Sequence, residues 1–123
     1  ISNVSERSGI PCEIRIDPDF EIKNLEYSLT IYRIIQEALS NIFKHANATD
    51  SQVTISAEKE YWKIVISDNG IGINTATKYK ISLGITGMKE RAEMINCSIE
   101  ILNNLISGTS VILKIPYSQL LDK

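Results

Sequence analysis

The sequence holds 123 residues, 43% of them apolar and 23% charged, which is enough for one compact domain with a single core and too little for two. Its 13 basic residues stand against 15 acidic ones, so no broad field points to nucleic acid or to an anionic membrane, and any phosphate binding must be local. The longest uncharged apolar runs are a few residues long, far short of the roughly 20 that span a bilayer, and no signal-peptide pattern opens the chain.

Residues 1–11 contain Ser2, Asn3, Ser5, Ser8, Gly9 and Pro11, a composition of loop or fraying terminus. The start at Ile1 rather than Met reads as a fragment cut from a longer chain. From Cys12 to Asp17, apolar Cys12, Ile14 and Ile16 alternate with Glu13, Arg15 and Asp17, the period of a half-buried strand that ends at Asp17-Pro18. A helix follows over about Leu25 to His45, where Ile31, Ile34, Ile35, Ala38, Leu39 and Ile42 recur at spacings of three and four and cover one core-facing side.

Val53, Ile55 and Ala57 alternate with polar neighbours, Glu58 to Tyr61 makes a turn, and Trp62, Ile64 and Ile66 alternate again up to Asp68, which gives two antiparallel strands. Asn69 to Leu83 contains Gly70 and Gly72 and a polar middle, Asn74 to Lys80, without sustained periodicity, and reads as a lid. Gly84 to Gly87 opens a second helix with Met88, Ala92 and Ile95 on its inner face, ending near Asn96. Ile99 and Ile101, then Val111, Leu113 and Ile115, form two last strands joined by a loop with Ser107-Gly108, and Pro116 ends the last one. This order implies the α/β class: a two-layer α/β sandwich with helices on one face of a mixed sheet.

Cys12 and Cys97 are the only cysteines. They form no CxxC pair, and with His45 as the lone histidine they cannot supply a four-ligand structural zinc site. They read as reduced, buried thiols of a cytosolic protein.

Four stretches carry candidate chemistry. On the first helix, with Glu37 at 0°, Asn41 falls at about 40° and Lys44 at about 340°, one polar stripe within an arc of about 60°. A carboxylate, an amide and an ammonium on one face suit proton transfer, a carbonyl ligand for Mg²⁺ and neutralisation of a phosphate, although such a stripe alone is also what a solvated helix face looks like. Asp68-Asn69-Gly70-Ile71-Gly72 directly follows a strand. Asn-Gly can make a plain hairpin turn, but nothing after Gly72 alternates as a returning strand would.

An aspartate fixed at a strand end can accept the exocyclic N–H of adenine, whereas guanine would set a carbonyl oxygen against it. Gly84-Ile85-Thr86-Gly87-Met88 at a helix start would offer unpaired backbone N–H groups and the helix dipole to an anion. It matches neither a Walker lysine motif nor a dinucleotide fingerprint, and a glycine before a helix is in itself weak. Gly108-Thr109 precedes a strand, where the hydroxyl could reach a base through water.

Taken in order, Glu37-Ala38-Leu39-Ser40-Asn41-Ile42-Phe43-Lys44-His45-Ala46, Asp68-Asn69-Gly70-Ile71-Gly72, Gly84-Ile85-Thr86-Gly87-Met88-Lys89-Glu90-Arg91 and Gly108-Thr109 resemble the N, G1, G2 and terminal Gly-Thr motifs of the histidine-kinase ATPase (GHKL) superfamily. Gln36-Glu37-Ala38-Leu39, Lys44-His45-Ala46 and the Gly-Met-Lys-Glu-Arg stretch are similar to the subfamily of sensor kinases that act on NarL-type response regulators. The resemblance covers nearly the whole chain. It implies the Bergerat fold, with a mixed, mostly antiparallel sheet, ATP between the helices and under the lid, and adenine on the side of Asp68.

On the same resemblance Asn41 binds Mg²⁺ and Lys44 and His45 approach the phosphates. Gly70, Gly72, Ile73 and Thr109 belong to the base side, and Gly84, Ile85, Thr86, Gly87 and Met88 wrap the phosphates with backbone N–H groups. Glu37 takes the place of the glutamate that activates water in ATPase members, and in a kinase it would orient or deprotonate the incoming histidine. Ser82 departs from the pattern, standing where many relatives have the first glycine of a Gly-x-Gly pair. His45 is not the acceptor on this reading, because kinases of this kind carry the acceptor on a separate upstream helix.

The implied protein is the catalytic domain of a sensor histidine kinase. It would work with a dimerisation and histidine-phosphotransfer domain of the same kinase and, through the full-length kinase, with a response regulator. It would be a cytoplasmic domain, monomeric in isolation and without membrane contact of its own, in a parent anchored in the bacterial cell membrane. The same residues leave two other readings open: an anti-sigma-factor-type serine kinase, and a non-catalytic nucleotide-dependent docking module.

Overall fold

The computed structural model describes residues 11–45, 48–70, 78–103 and 108–120, and within these segments all side chains except those of residues 44, 45, 78–83 and 103. In chain order the elements are β1 (Cys12–Ile16), α1 (Leu25–His45), β2 (Ser51–Ala57), β3 (Tyr61–Asp68), α2 (Lys78–Met94), β4 (Ser98–Asn103), β5 (Thr109–Pro116) and a 3-10 turn (Tyr117–Leu120).

The strands form one sheet in the order β1-β2-β3-β5-β4. β1 runs parallel to β2, and the pairs β2–β3, β3–β5 and β4–β5 are antiparallel. The parallel pair follows from the crossover through α1, since two parallel neighbours cannot be joined by a hairpin. The sandwich with a mostly antiparallel mixed sheet is therefore as the sequence predicts.

Both helices lie on one face. Ile31, Ile34, Ile35, Ala38, Leu39 and Ile42 of α1 and Met88, Ala92 and Ile95 of the α2 region join Val53, Ile55, Trp62, Ile64, Ile66, Val111, Leu113 and Ile115 in one buried cluster. On β3 the buried residues are Trp62, Ile64, Ile66 and Asp68, every second one, so the period of the strand carries Asp68 onto the helix-covered face at the strand's end.

Trp62 is held edge-on by Phe20 and Tyr117, with centroids 5.1 and 5.9 Å away, an arrangement aromatic quadrupoles favour. The Tyr117 hydroxyl donates to the Glu58 carbonyl at 2.6 Å, which ties the end of the sheet to the β2–β3 turn.

Both helix ends in clear view have chemical stops. Asn24 caps α1: its Oδ1 accepts the Tyr27 N–H at 2.9 Å, which satisfies one of the otherwise free donors of the first turn. At the end of α2, Asn96 takes φ 55°, and the N–H groups of Asn96 and Cys97 reach back to the carbonyls of Glu93 and Ala92. This is a Schellman stop with asparagine in the left-handed position where glycine is usual.

The start of α2 corrects the sequence reading. The helix begins at Lys78, not at Gly84, so the last six residues assigned to the lid are helical, and residues 71–77 lie outside those described. The reason is legible in hindsight. Ile81, Ile85, Met88, Ala92 and Ile95 follow one another at spacings of four and three, a helical period that continues backwards through the two glycines, which cost about 1 kcal/mol each in a helix interior but do not end it.

Cys12 and Cys97 are free thiols, both half-buried. Burial pushes the Cys97 thiol up to about 11, and its Sγ–H donates to the Ile95 carbonyl at 3.6 Å. Since the thiolate is the reactive form, alkylation of Cys97 at about pH 8 is expected to be slow in the folded protein and to become fast in urea. Peptide mass mapping after iodoacetamide treatment measures this; equal rates in both states would contradict it.

Candidate functional site

The strand-end cluster is built from two of the sequence motifs, Asp68-Asn69-Gly70 and Gly108-Thr109. Asp68 is 7% exposed and holds Oδ1 2.7 Å from the Gly70 N–H; its carboxylate also accepts the backbone N–H of Thr109, the first residue of β5. Burial pushes this carboxyl up from its ordinary range, and the two N–H groups pull part of the shift back. The acid is thus desolvated and pinned.

Gly108 closes the cluster. It has φ +90°, and a Cβ there would overlap the backbone carbonyl of Asp68 and come within 3.0 Å of the Asn69 Cα. Only glycine lets β5 enter the sheet this close to the acid. The sequence reading gave Thr109 a hydroxyl role; in the structure it is the Thr109 main chain that meets Asp68.

Asn69, which the sequence reading treated only as part of a turn, has a structural task. Its Oδ1 accepts the N–H groups of Thr49 and Asp50, both at 3.0 Å, and its Nδ2 donates to the Thr49 hydroxyl at 3.0 Å. One amide side chain thereby fastens the segment after α1 to the end of β3. A hollow of about 150 Å³ lies here, lined by Asp50, Ser51, Gln52, Ser67, Asp68 and Asn69.

The second cluster lies where α1 crosses α2. Glu37 is half-buried, and its Oε2 stands 2.6 Å from where a Cβ on Gly84 would be. A residue with a side chain at position 84 would displace the carboxylate, so the two motifs are brought into direct contact. Glu37 lines a cleft of about 410 Å³ with Arg33, Gln36, Ser40 and Arg91.

Arg33 was not singled out from the sequence, yet at about 100° per residue it falls within about 40° of Glu37, on the same stripe. Arg91 lies four residues beyond Gly87, and its guanidinium is 3.0 Å from the position of a Cβ there. Helical spacing could have found both.

The remaining candidates are placed as follows. Asn41 is half-buried on α1, one turn after Glu37. Lys44 and His45 belong to the last turn of α1, and their side chains lie outside the described ones, as do Gly72 and Ile73 altogether. Gly70 is buried beside Asp68 and Thr86 is exposed; Ile85 packs against the core and the Met88 side chain is fully enclosed in it.

One expectation fails in this geometry. Gly84 to Met88 were expected to offer free N–H groups at a helix start, but they lie six or more residues inside α2, where the N–H groups are used in the helix ladder. Of the two hollows described above, Asp68 lines one and Glu37 the other. No group of three or more His, Cys, Asp or Glu able to hold a metal ion occurs among the described residues. Among them, too, no helix is long and apolar enough to cross a membrane.

The family model described as histidine kinase-, DNA gyrase B- and HSP90-like ATPase matches residues 26–119. The chain is 39% identical over 88 residues to the signal transduction histidine-protein kinase/phosphatase DegS of Brevibacillus brevis, covering 72% of this chain and 23% of that protein. It is 37% identical over 119 residues to the sensor histidine kinase YxjM of Bacillus subtilis strain 168, covering 94% and 28%. This chain therefore spans about a quarter of the length of these relatives.

Among solved structures, the histidine kinase domain of the Erythrobacter litoralis EL346 blue-light activated histidine kinase superposes with a TM-score of 0.81 at 20% identity, over 97% of this chain and 62% of that one. Full-length ShkA in complex with AMPPNP superposes with a TM-score of 0.73 at 16% identity, over 94% and 27%. At such identities the likeness concerns the fold.

Proposed function

Because this chain belongs to the family of histidine kinase-, DNA gyrase B- and HSP90-like ATPases, we propose that it is the ATP-binding catalytic domain of a two-component sensor histidine kinase, one part of a longer protein. The domain binds Mg·ATP and passes the terminal phosphoryl group to a histidine on a dimerisation domain of the same kinase, which in turn serves a response regulator. The identity of 37% over 94% of this chain to a sensor histidine kinase supports this reading over the serine-kinase and docking alternatives. The cytoplasmic side of a membrane-anchored parent is the corresponding location.

The observation that carries the reading is the desolvated Asp68, fixed by the N–H groups of Gly70 and Thr109. An acceptor held at a strand end suits the amino group of adenine and repels the carbonyl of guanine. Asn41 offers a carbonyl oxygen to Mg²⁺, which otherwise keeps waters and phosphate oxygens as ligands. Lys44 and His45, next after Asn41 in the sequence motif, are assigned to the phosphates, and Gly72 and Ile73, next after Asp68, to the base.

Glu37, in contact with Gly84, is the group that meets the incoming histidine. Catalysis then consists mainly of positioning and charge stabilisation, since phosphoryl transfer asks little covalent chemistry of the protein. Without the acceptor domain the chain binds nucleotide and scarcely turns it over.

Titration with a fluorescent ATP analogue tests the assignment. The unsubstituted chain is expected to bind in the presence of Mg²⁺, and Asn41→Ala is expected to lose about tenfold in affinity with Mg²⁺ and little in its absence, the scale of one charge-assisted ligand contact. A loss independent of Mg²⁺ would remove the metal role, and no binding by the parent chain would remove the function.

A further inference from the structure

The cleft between α1 and α2 has a composition that helix packing does not require. Its lining of Arg33, Gln36, Glu37, Ser40 and Arg91 contains two guanidiniums, one from each helix, with a carboxylate between them in sequence order. Arg33 and Glu37 are four residues apart on one helix, the spacing at which opposite charges ordinarily close on each other. They do not do so here: among the described residues the one ion pair is Arg15–Glu13. Among the described residues, three charged groups thus border an open space of about 410 Å³ with their hydrogen-bonding capacity unspent on one another.

A ligand for such a space must be anionic, with several oxygens that two forks can grip from different directions. It must also tolerate, or be accompanied by, a donor facing Glu37. A lone protein carboxylate satisfies one guanidinium and is repelled by Glu37. A terminal phosphoryl group approached by an imidazole satisfies all three.

We propose that this cleft is the subsite in which the terminal phosphoryl group of the nucleotide is held at transfer, with Arg33 and Arg91 on its oxygens and Glu37 on the ring N–H of the attacking imidazole. The proposal rests on the nucleotide reading above and adds Arg33 and Arg91 to it. In the step, the lone pair of one imidazole nitrogen forms the N–P bond while the bond from that phosphorus to the bridging oxygen breaks, and its electron pair leaves on ADP. The proton on the other imidazole nitrogen passes to the Glu37 carboxylate and from there to solvent. The guanidiniums neutralise oxygens that carry charge throughout, as in other phosphoryl transfers.

Separating ATP from ADP tests the subsite, because only ATP reaches it. Dissociation constants of the whole chain for Mg·ADP and for a non-hydrolysable Mg·ATP analogue are measured in the parent, Arg33→Ala, Arg91→Ala, Arg91→Lys and Glu37→Gln. Each alanine variant is expected to bind the ATP analogue about tenfold more weakly and ADP within about twofold of the parent, the latter also reporting an intact fold. Arg91→Lys should recover part of the loss, since it keeps the charge without the fork. Glu37→Gln should tighten the ATP analogue severalfold with ADP unchanged, because it removes a like charge beside the phosphoryl group; a merely structural Glu37 predicts no such gain.

Equal losses for both nucleotides, or no loss for the ATP analogue in either arginine variant, would overturn the subsite while leaving the nucleotide site standing. Failure of the parent chain to bind either nucleotide would bring down the nucleotide reading and this proposal with it.

Discussion

Asp68→Asn is expected to weaken the ATP analogue by about a hundredfold and to abolish most of the preference for ATP over GTP, the range reached when a site built around a buried acceptor loses it. The carboxylate has two oxygens and accepts from Gly70 and Thr109. Asparagine offers one oxygen and an NH2 group, so half of the acceptor capacity at the strand end is lost and the surface shown to the base changes from acceptor to mixed. Stability should move little, by about 1 kcal/mol or less, because the lost hydrogen bond is offset by removal of a desolvated charge.

The sign of the pH dependence follows from the burial of Asp68, which raises its folded-state pKa above the unfolded value. The contribution of this group to stability is fully present below the unfolded pKa and is lost as pH rises through the raised folded pKa. Nucleotide binding runs the other way: it needs the ionised acceptor, so affinity falls as pH drops through that same raised value. Titrations at descending pH should show the decline in the parent chain and not in Asp68→Asn. An unaltered ATP-to-GTP ratio in the variant would remove Asp68 from the base pocket.

Gly108→Ala should be the most damaging small substitution in the chain, costing about 3 kcal/mol and lowering the melting temperature by about 10 °C. Two independent causes add. The backbone is at φ +90°, where side chains are strained, and the new Cβ would overlap the Asp68 carbonyl, a main-chain group in a paired strand that cannot swing away as a flexible side chain would. Relief requires β5 to retreat from β3, which also removes the Thr109 N–H from the Asp68 carboxylate. Urea denaturation of the two proteins measures the difference, and a change below about 1 kcal/mol would show that the strand end can open without cost.

The elements that sequence reasoning placed well are those whose period is enforced by a one-sided core. α1 is the clearest: six residues at spacings of three and four are all buried, and its boundaries Leu25–His45 agree. The alternations around Ile64 and Leu113 placed β3 and β5 in the same way. At the start of α2 two glycines and a polar run signal a loop, while the period of Ile81, Ile85 and Met88 continues as a helix through them. The helical period outweighs the glycine propensity there.

The candidate site divides along the same line. Glu37, Asn41 and Asp68 could be singled out because each sits at a definite phase of a helix or strand, and phase is a local property. Arg33 shared that phase but carried no motif of its own, and Asn69 was hidden inside a turn signal whose side chain turned out to bind residues 49 and 50.

Periodicity and motif order alone determined the class of fold, the one-sided core, the stripe on α1 and the acid at the strand end, because these depend on spacings that any chain obeying helix and strand geometry must respect. Only the tertiary structure decided that Gly108 lies under the Asp68 carbonyl, that Gly84 presses on Glu37 from inside a helix, and that Arg33 and Arg91 border one open cleft. Those are contacts between residues from 40 to nearly 60 positions apart, and the interaxial packing and sheet order that bring them together are set by the whole core, not by any stretch of sequence.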